Sequence, residues 1–317
     1  MRTITALFVG LGSIGTRHLK NLANLCADRG WTLQADALRS DLSRPLRDGV
    51  AALLHAQYTD PAAAPAHYDM VFITNPTSLH AEALRQVRGR GAALFIEKPI
   101  FSAEQTGLAL DELLPAGQKA YVAAPMRWCG AMLALKDRLP ALHPYCARVI
   151  CSSYLPDWRP GVDYRTVYSA RKALGGGVTI DLIHEWDYLV ELFGVPEKLY
   201  NFKGTYSELE IDSDDLSVYI AKYPTLLAEV HLDYFGRGYR RSIELFCRDG
   251  SYLADFGKGT LTLPDGTVQH YEEDVNRRYE REMEYFVDYA LTGCGESCNP
   301  PALALKVLKL TLGENVQ

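Results

Sequence analysis

The chain has 317 residues, with 33 Lys and Arg against 39 Asp and Glu, for a formal net charge of −6. That length exceeds one ordinary core and suits two domains. The acidic balance leaves no electrostatic footprint for nucleic acid, and no apolar run approaches the ~18 residues of a membrane span.

The first elements alternate strand and helix. Ile4 to Val9 is an apolar run fit for a buried parallel strand. Gly10-Leu11-Gly12-Ser13-Ile14-Gly15 follows, and Thr16 to Asp28 continues at helical spacing through Leu19, Leu22, Leu25 and Cys26. Glycines between a strand and a helix are chemical. Gly10 permits the tight turn, Gly12 and the Ser13 and Ile14 backbone let N–H groups approach a pyrophosphate, and Gly15 lets helix and strand pack closely. Arg2 before an apolar stretch raises an export signal, but the glycines interrupt it and no small-residue cleavage pattern follows.

Leu33 to Leu38 reads as the second strand, ending Ala37-Leu38-Arg39-Ser40-Asp41. An acidic residue there accepts from a ribose 2′-OH, whereas a basic one accommodates a 2′-phosphate. Arg39, with Ser40 as a second donor, favours NADP over NAD; Asp41 reaching the ribose is the alternative. Asp69 to Thr74 is a later strand, Ser78 to Arg88 a helix, Ala92 to Glu97 a strand, and Ala120 to Ala124 a strand after a further helix. The pattern predicts an α/β fold: an N-terminal Rossmann domain with a doubly wound parallel sheet over residues 1–124.

Pro125 to Leu139 supplies a connecting helix, after which the pattern changes. Strand-like runs follow at Arg148 to Tyr154, Leu199 to Tyr206, Leu216 to Tyr223, Leu226 to Tyr234 and Ser242 to Cys247, with helices at Thr179 to Phe193 and Asn276 to Leu291. Residues 125–317 are therefore expected as an α+β domain with a largely antiparallel sheet. The seven cysteines, an odd number, read as reduced packing residues. Cys294 and Cys298 lack a second ligand pair for zinc, and His184-Glu185 has no later histidine at metalloprotease spacing, so no metal is expected.

The glycine turn, Thr74-Asn75-Pro76-Thr77-Ser78-Leu79-His80, Glu97-Lys98-Pro99, and Gly175-Gly176-Gly177-Val178-Thr179-Ile180-Asp181-Leu182-Ile183-His184-Glu185-Trp186-Asp187 appear in one order. Together they resemble the glucose-fructose oxidoreductase and inositol dehydrogenase family across almost the whole chain. The resemblance implies a nicotinamide-dependent oxidoreductase acting on a carbinol of a sugar, sugar acid or related polyol. It implies that residues 125–317 form an open sheet for substrate binding and oligomerisation, giving a homo-oligomer, dimer or tetramer; composition suits a soluble cytoplasmic enzyme with no nucleic-acid or membrane partner.

Carried over residue by residue, Lys98 is the catalytic-site lysine, and the Lys98-Pro99 bond is expected cis. At the carboxyl end of a parallel strand its ammonium can stabilise a developing alkoxide. Asp181 and His184 complete the catalytic set: a helix would put them on one face, with histidine taking the hydroxyl proton and the aspartate orienting it or a neighbouring hydroxyl. The family usually spaces these two by four with a glycine between, so this chain is one residue shorter, and Glu185 is the alternative support for His184. Asn75, Pro76, His80 and Glu97 are placed with the cofactor. Arg127, Trp158, Arg165 and Tyr168 are placed with the substrate, the aromatic and basic mix suiting a sugar bearing an anionic group. Two other functions fit the same motifs: a redox-neutral lyase or glycosidase using transient hydride transfer, and a non-catalytic dinucleotide sensor.

Overall fold

The structure, a computed structural model, describes residues 2–316. They fold as two compact units: residues up to Ala123 together with Tyr279–Leu305, and Ala124–Arg278 together with the residues from Lys306 onward.

The first unit contains β1 (Thr3–Val9), α1 (Ser13–Asp28), β2 (Thr32–Leu38), β3 (Leu54–Tyr58), β4 (Tyr68–Ile73), α2 (His80–Gln86), β5 (Gly91–Ile96), α3 (Leu110–Leu113) and β6 (Lys119–Val122). The strands form a parallel sheet in the order β3-β2-β1-β4-β5-β6, the doubly wound arrangement expected. Its register sets Leu38, Val9, Ile73, Ile96 and Val122 side by side. The carboxyl ends of five strands are therefore level, and the residues just beyond them share one rim. β3 carries no apolar run: its alternately exposed Leu-His-Ala-Gln-Tyr is a sheet edge, which hydrophobic patterning passes over. The helix expected before β6 shrinks to the four residues of α3 and a 3₁₀ turn at Ala103–Gln105.

The second unit opens with a 3₁₀ turn at Pro125–Trp128 and continues with α4 (Gly130–Arg138), β7 (Cys146–Tyr154), α5 (Val178–Asp181), α6 (His184–Phe193), β8 (Lys198–Gly204), β9 (Leu216–Lys222), β10 (Leu227–Asp233), β11 (Phe235–Cys247), β12 (Gly250–Asp255), β13 (Thr260–Thr262) and β14 (Val268–His270). The eight strands lie in the order β14-β13-β12-β11-β7-β10-β9-β8. All pairings are antiparallel except β7 with β10, so the sheet is largely antiparallel as expected. One face is covered: Ser217, Tyr219 and Ala221 on β9 and Ala228, Val230 and Leu232 on β10 are buried, with Trp186 of α6 set edge-on to Tyr219 at 5.2 Å.

Two helices close the chain, α7 (Val275–Thr292) and α8 (Pro301–Thr311). A single boundary after residue 124 does not describe the chain, because residues 279–305 return to the first unit. The cause is hydrophobic: Met283, Phe286, Val287 and Ala290, spaced along one side of α7, join Phe8, Phe72 and Phe95 in one buried cluster. Phe286 lies 5.4 Å from Phe72 and 5.2 Å from Phe95, edge-on to both. Beyond α7 the chain satisfies the β6 edge, since the Val122 N–H donates to the Asn299 carbonyl and the Asn299 amide returns a bond to the Val122 carbonyl.

Candidate active site

The glycine turn lies on the rim between β1 and α1. Gly10 has φ +88°, and a Cβ there would stand 2.8 Å from the Asn75 backbone, so only glycine allows this approach. A Cβ on Gly15 would reach within 2.5 Å of the Gly10 carbonyl and 2.7 Å of Thr74 Oγ1. Thr74 seals that corner by donating to the Gly10 carbonyl at 2.6 Å. Over Gly12 the space is open, and the first turn of α1 has neither a side-chain cap nor an acidic residue. Exposed Ser13 and half-buried Ile14 begin that turn. Its N–H groups are therefore available to an anion. Asn75, whose backbone and Cβ crowd Gly10, has a buried Oδ1 without a hydrogen-bond partner among the described residues. These features fit a dinucleotide, whose pyrophosphate would take the open N–H groups. Pro76 is exposed at the same strand end.

At the end of β2, Arg39 Nη1 donates to Gln57 Oε1 at 2.8 Å and Nη2 to the Arg44 carbonyl, while Ser40 is exposed. Asp41 is occupied locally: Oδ1 accepts from the Ser43 N–H and hydroxyl, and Oδ2 is 3.5 Å from Arg44. The Ser43 hydrogen bonds hold its carboxyl below the usual range.

At the end of β5 the Lys98-Pro99 bond is cis and Lys98 is half-buried. Glu97, placed with the cofactor from the sequence, turns inward instead. It is buried, with Oε1 2.6 Å from His18 Nε2 and Oε2 accepting the Lys98 N–H at 3.0 Å. Burial works to raise this carboxyl, and the hydrogen bond and charge of His18 with the charge of Lys98 bring it net below its ordinary value. His80 also turns inward. Its Nδ1 lies 3.1 Å from the Ile100 carbonyl and Nε2 3.1 Å from the Asn75 carbonyl, tying together the two turns that flank Lys98 and Asn75. Burial pushes its imidazole down, against those backbone contacts.

The second unit holds the Asp181 and His184 segment, and the single helix expected there is broken. α5 is one turn, pinned where Asp214 Oδ2 accepts the Thr179 N–H at 2.9 Å and the Asp214 carbonyl accepts the Val178 N–H. Leu182 leaves helical geometry, with ψ +32°, and α6 starts afresh at half-buried His184. Asp181 and His184 thus sit at the end of one helix and the start of the next. Asp181 Oδ2 accepts the Tyr234 hydroxyl at 2.5 Å. Tyr234 is fully buried, and burial followed by the charge of Asp181 raises its phenol well above the ordinary value, which keeps it a donor. Trp158 stands edge-on to Tyr234 at 5.2 Å and donates to Ser153 Oγ at 3.0 Å. Asp181, Tyr234 and 39 % exposed Trp158 form a continuous wall.

Other expected site residues have internal partners. Glu185 is fully buried and grips Arg241 with both oxygens, at 2.7 and 3.0 Å, so it does not face a site. Arg127 is buried against Asp187, at 2.8 and 3.1 Å, and against Glu191 at 2.5 Å, so its guanidinium is spent inside the unit. Burial pushes the Asp187 carboxyl up, and Arg127 opposes this. Arg165 is exposed and held by Asp163 and Glu210, both at 2.9 Å. Tyr168 is exposed at its ring and donates to the Gly175 carbonyl at 2.7 Å. His18, Tyr234, Asp214 and Arg241 escape sequence reading, since each earns its place through a partner distant in the chain. Among the described residues no group of three His, Cys, Asp or Glu could hold a metal ion, and no helix is long and apolar enough to cross a membrane.

Residues 4–123 match the oxidoreductase family with an NAD-binding Rossmann fold. No curated protein matches the chain. Solved structures match over nearly its whole length. UDP-N-acetylglucosamine 3-dehydrogenase from Acidithiobacillus ferrooxidans is 19% identical with a TM-score of 0.73, covering 99% of this chain and 97% of its own. A levoglucosan dehydrogenase in complex with NADH and levoglucosan is 16% identical with a TM-score of 0.81, covering 98% and 96%. The myo-inositol 2-dehydrogenase from Lactobacillus plantarum is 19% identical with a TM-score of 0.75, again covering 98% and 96%. At such identities the structural likeness establishes the shared two-part fold. Residues 4–123 are thus similar to the NAD-binding Rossmann domain of the glucose-fructose oxidoreductase and inositol dehydrogenase (Gfo/Idh/MocA) oxidoreductase family, the family that the motifs resemble.

Proposed function

We propose that the protein is a dehydrogenase that moves a hydride between a carbinol of a sugar, sugar acid or related polyol and NADP or NAD. The observation that carries this reading is the place of Lys98. It follows β5, whose end is level with those of β1 and β4, beyond which lie the glycine turn and Asn75. In a doubly wound sheet that rim is where a dinucleotide and its reacting partner meet.

When bound, the nicotinamide supplies a hydride acceptor or donor. Lys98, which has no ion pair among the described residues, stabilises charge developing on the substrate oxygen. His184 takes or returns the hydroxyl proton. Asp181, with Oδ2 held by the Tyr234 hydroxyl, offers Oδ1 to a substrate hydroxyl. Trp158 presents an apolar ring face suited to the C–H face of a cyclic sugar. The structurally similar proteins that act on UDP-N-acetylglucosamine, levoglucosan and myo-inositol support a cyclic polyol as substrate. Arg39 at the end of β2, with Asp41 engaged by Ser43, supports NADP as the preferred cofactor.

A homo-oligomer through the open face of the second sheet belongs to the same proposal. Across that face Tyr200, Ile220, Glu229 and Arg148 lie in one row and Phe202, Val218, His231 and Ile150 in the next, with Phe202 74% exposed. Large exposed apolar side chains in register mark a surface that gains by being covered. A single species of protomer mass in light scattering contradicts this part.

The enzymatic reading is tested by screening cyclic polyols and sugar acids with NADP and with NAD while following nicotinamide absorbance and product. Product with matching cofactor reduction supports it. Product at constant absorbance assigns the redox-neutral reading instead, and tight cofactor binding with no product from any candidate points to a sensor.

A further inference from the structure

His18 lies on α1, the helix that starts at the glycine turn, and its side chain is fully buried. Its ring packs against Phe95 of β5 at 4.6 Å and Tyr279 of α7 at 6.1 Å, and Arg17 lies over the other ring at 4.5 Å. Nε2 meets Glu97 Oε1 at 2.6 Å, and Glu97 spends its second oxygen on the Lys98 N–H. Nδ1 has no hydrogen-bond partner among the described residues. An ionised carboxylate only accepts, so Nε2–H is the donor. The arrangement therefore fixes Nε2–H as the donor to Glu97.

We infer that His18 is a positioning residue for Lys98: through Glu97 it fixes the backbone on which Lys98 stands to the helix that starts at the cofactor turn. The chain of contacts is short and has no slack, running from His18 Nε2 to Glu97 Oε1 and from Glu97 Oε2 to the Lys98 N–H. The inference rests on the catalytic role proposed for Lys98. A side chain that merely filled the space would not need a donor, whereas the buried Glu97 carboxylate does. Without that donor, burial acts on Glu97 with its main opposition gone, the carboxyl takes up a proton at higher pH, and its hold on the Lys98 N–H weakens. The charged and titratable groups around Glu97 are His18 from α1, Lys98 from its own strand end and His80 from α2, with the Tyr279 phenol of α7 beyond His18.

The test compares wild type with His18→Gln, which keeps an N–H donor near the Nε2 position, and His18→Met, which keeps bulk without one. Nitrogen NMR of the wild-type imidazole should show a proton on Nε2; an Nε2 that carries no proton overturns the inference. His18→Met should lower kcat about 10-fold or more and move the acid limb of the pH profile upward, with reduced-cofactor affinity unchanged within about threefold. His18→Gln should restore most of the rate and the wild-type pH limb. Unchanged kcat in His18→Met, or equal loss in both variants, overturns the inference. If the wild type reduces no cofactor with any polyol, the dehydrogenase reading fails instead. The rate at which an amine-specific reagent labels Lys98, read by peptide mass spectrometry, then decides: a change in His18→Met reversed in His18→Gln supports the role, and equal rates in all three overturn it.

Discussion

The Tyr234 hydroxyl donates to Asp181 Oδ2 across 2.5 Å, joining the residue just beyond β10 to the last residue of α5. The bond fixes one oxygen of Asp181 and leaves the other to a ligand. Tyr234→Phe should therefore lower kcat/KM about 10-fold or more while leaving the dissociation constant of the reduced cofactor within about threefold. Steady-state kinetics beside a fluorescence titration checks this. Wild-type kcat/KM in Tyr234→Phe removes Asp181 from the reacting geometry.

Cofactor preference should follow Arg39. A guanidinium on a 2′-phosphate contributes about 1.5–3 kcal/mol, roughly 10- to 100-fold. Arg39→Ala should cut the ratio of kcat/KM for NADP over NAD by that factor, chiefly through KM for NADP. A ratio already favouring NAD in the wild type contradicts the preference and shifts attention to Asp41.

Stability should carry a pH signature from Glu97. Its folded carboxyl lies below the ordinary value of 4.5, so the stability it contributes is complete above that value and is lost as pH falls through the folded one. Wild type should exceed Glu97→Gln by about 1–3 kcal/mol near neutral pH, with the gap closing below about pH 4.5. Urea unfolding at stepped pH measures it; a gap that stays constant with pH contradicts it.

What the sequence reveals here is local. The glycine turn, the strand before it, and Glu97-Lys98-Pro99 are contiguous, so their backbone requirements are written in adjacent residues. His18 and Glu97 are 79 residues apart and Tyr234 and Asp181 are 53 apart; nothing in a linear pattern pairs them. Glu185 and Arg127 misled for a related reason. A charged residue near a motif looks available until the fold supplies its counterion, here Arg241 for one and Asp187 with Glu191 for the other. The helix break at Leu182 is not written in the local pattern, and Asp214, which holds the start of α5, lies beyond α6 in the chain. The return of α7 was likewise hidden: its apolar stripe is plain in sequence, but a stripe does not say which sheet it covers.

The central claim, that Lys98 acts on the reacting oxygen and not on cofactor binding, is tested most directly by Lys98→Met. Wild type and variant should bind the reduced cofactor with dissociation constants within about threefold, while turnover of the best polyol falls by about 10³-fold or more. Turnover within about threefold of wild type, at unchanged cofactor affinity, would contradict the account.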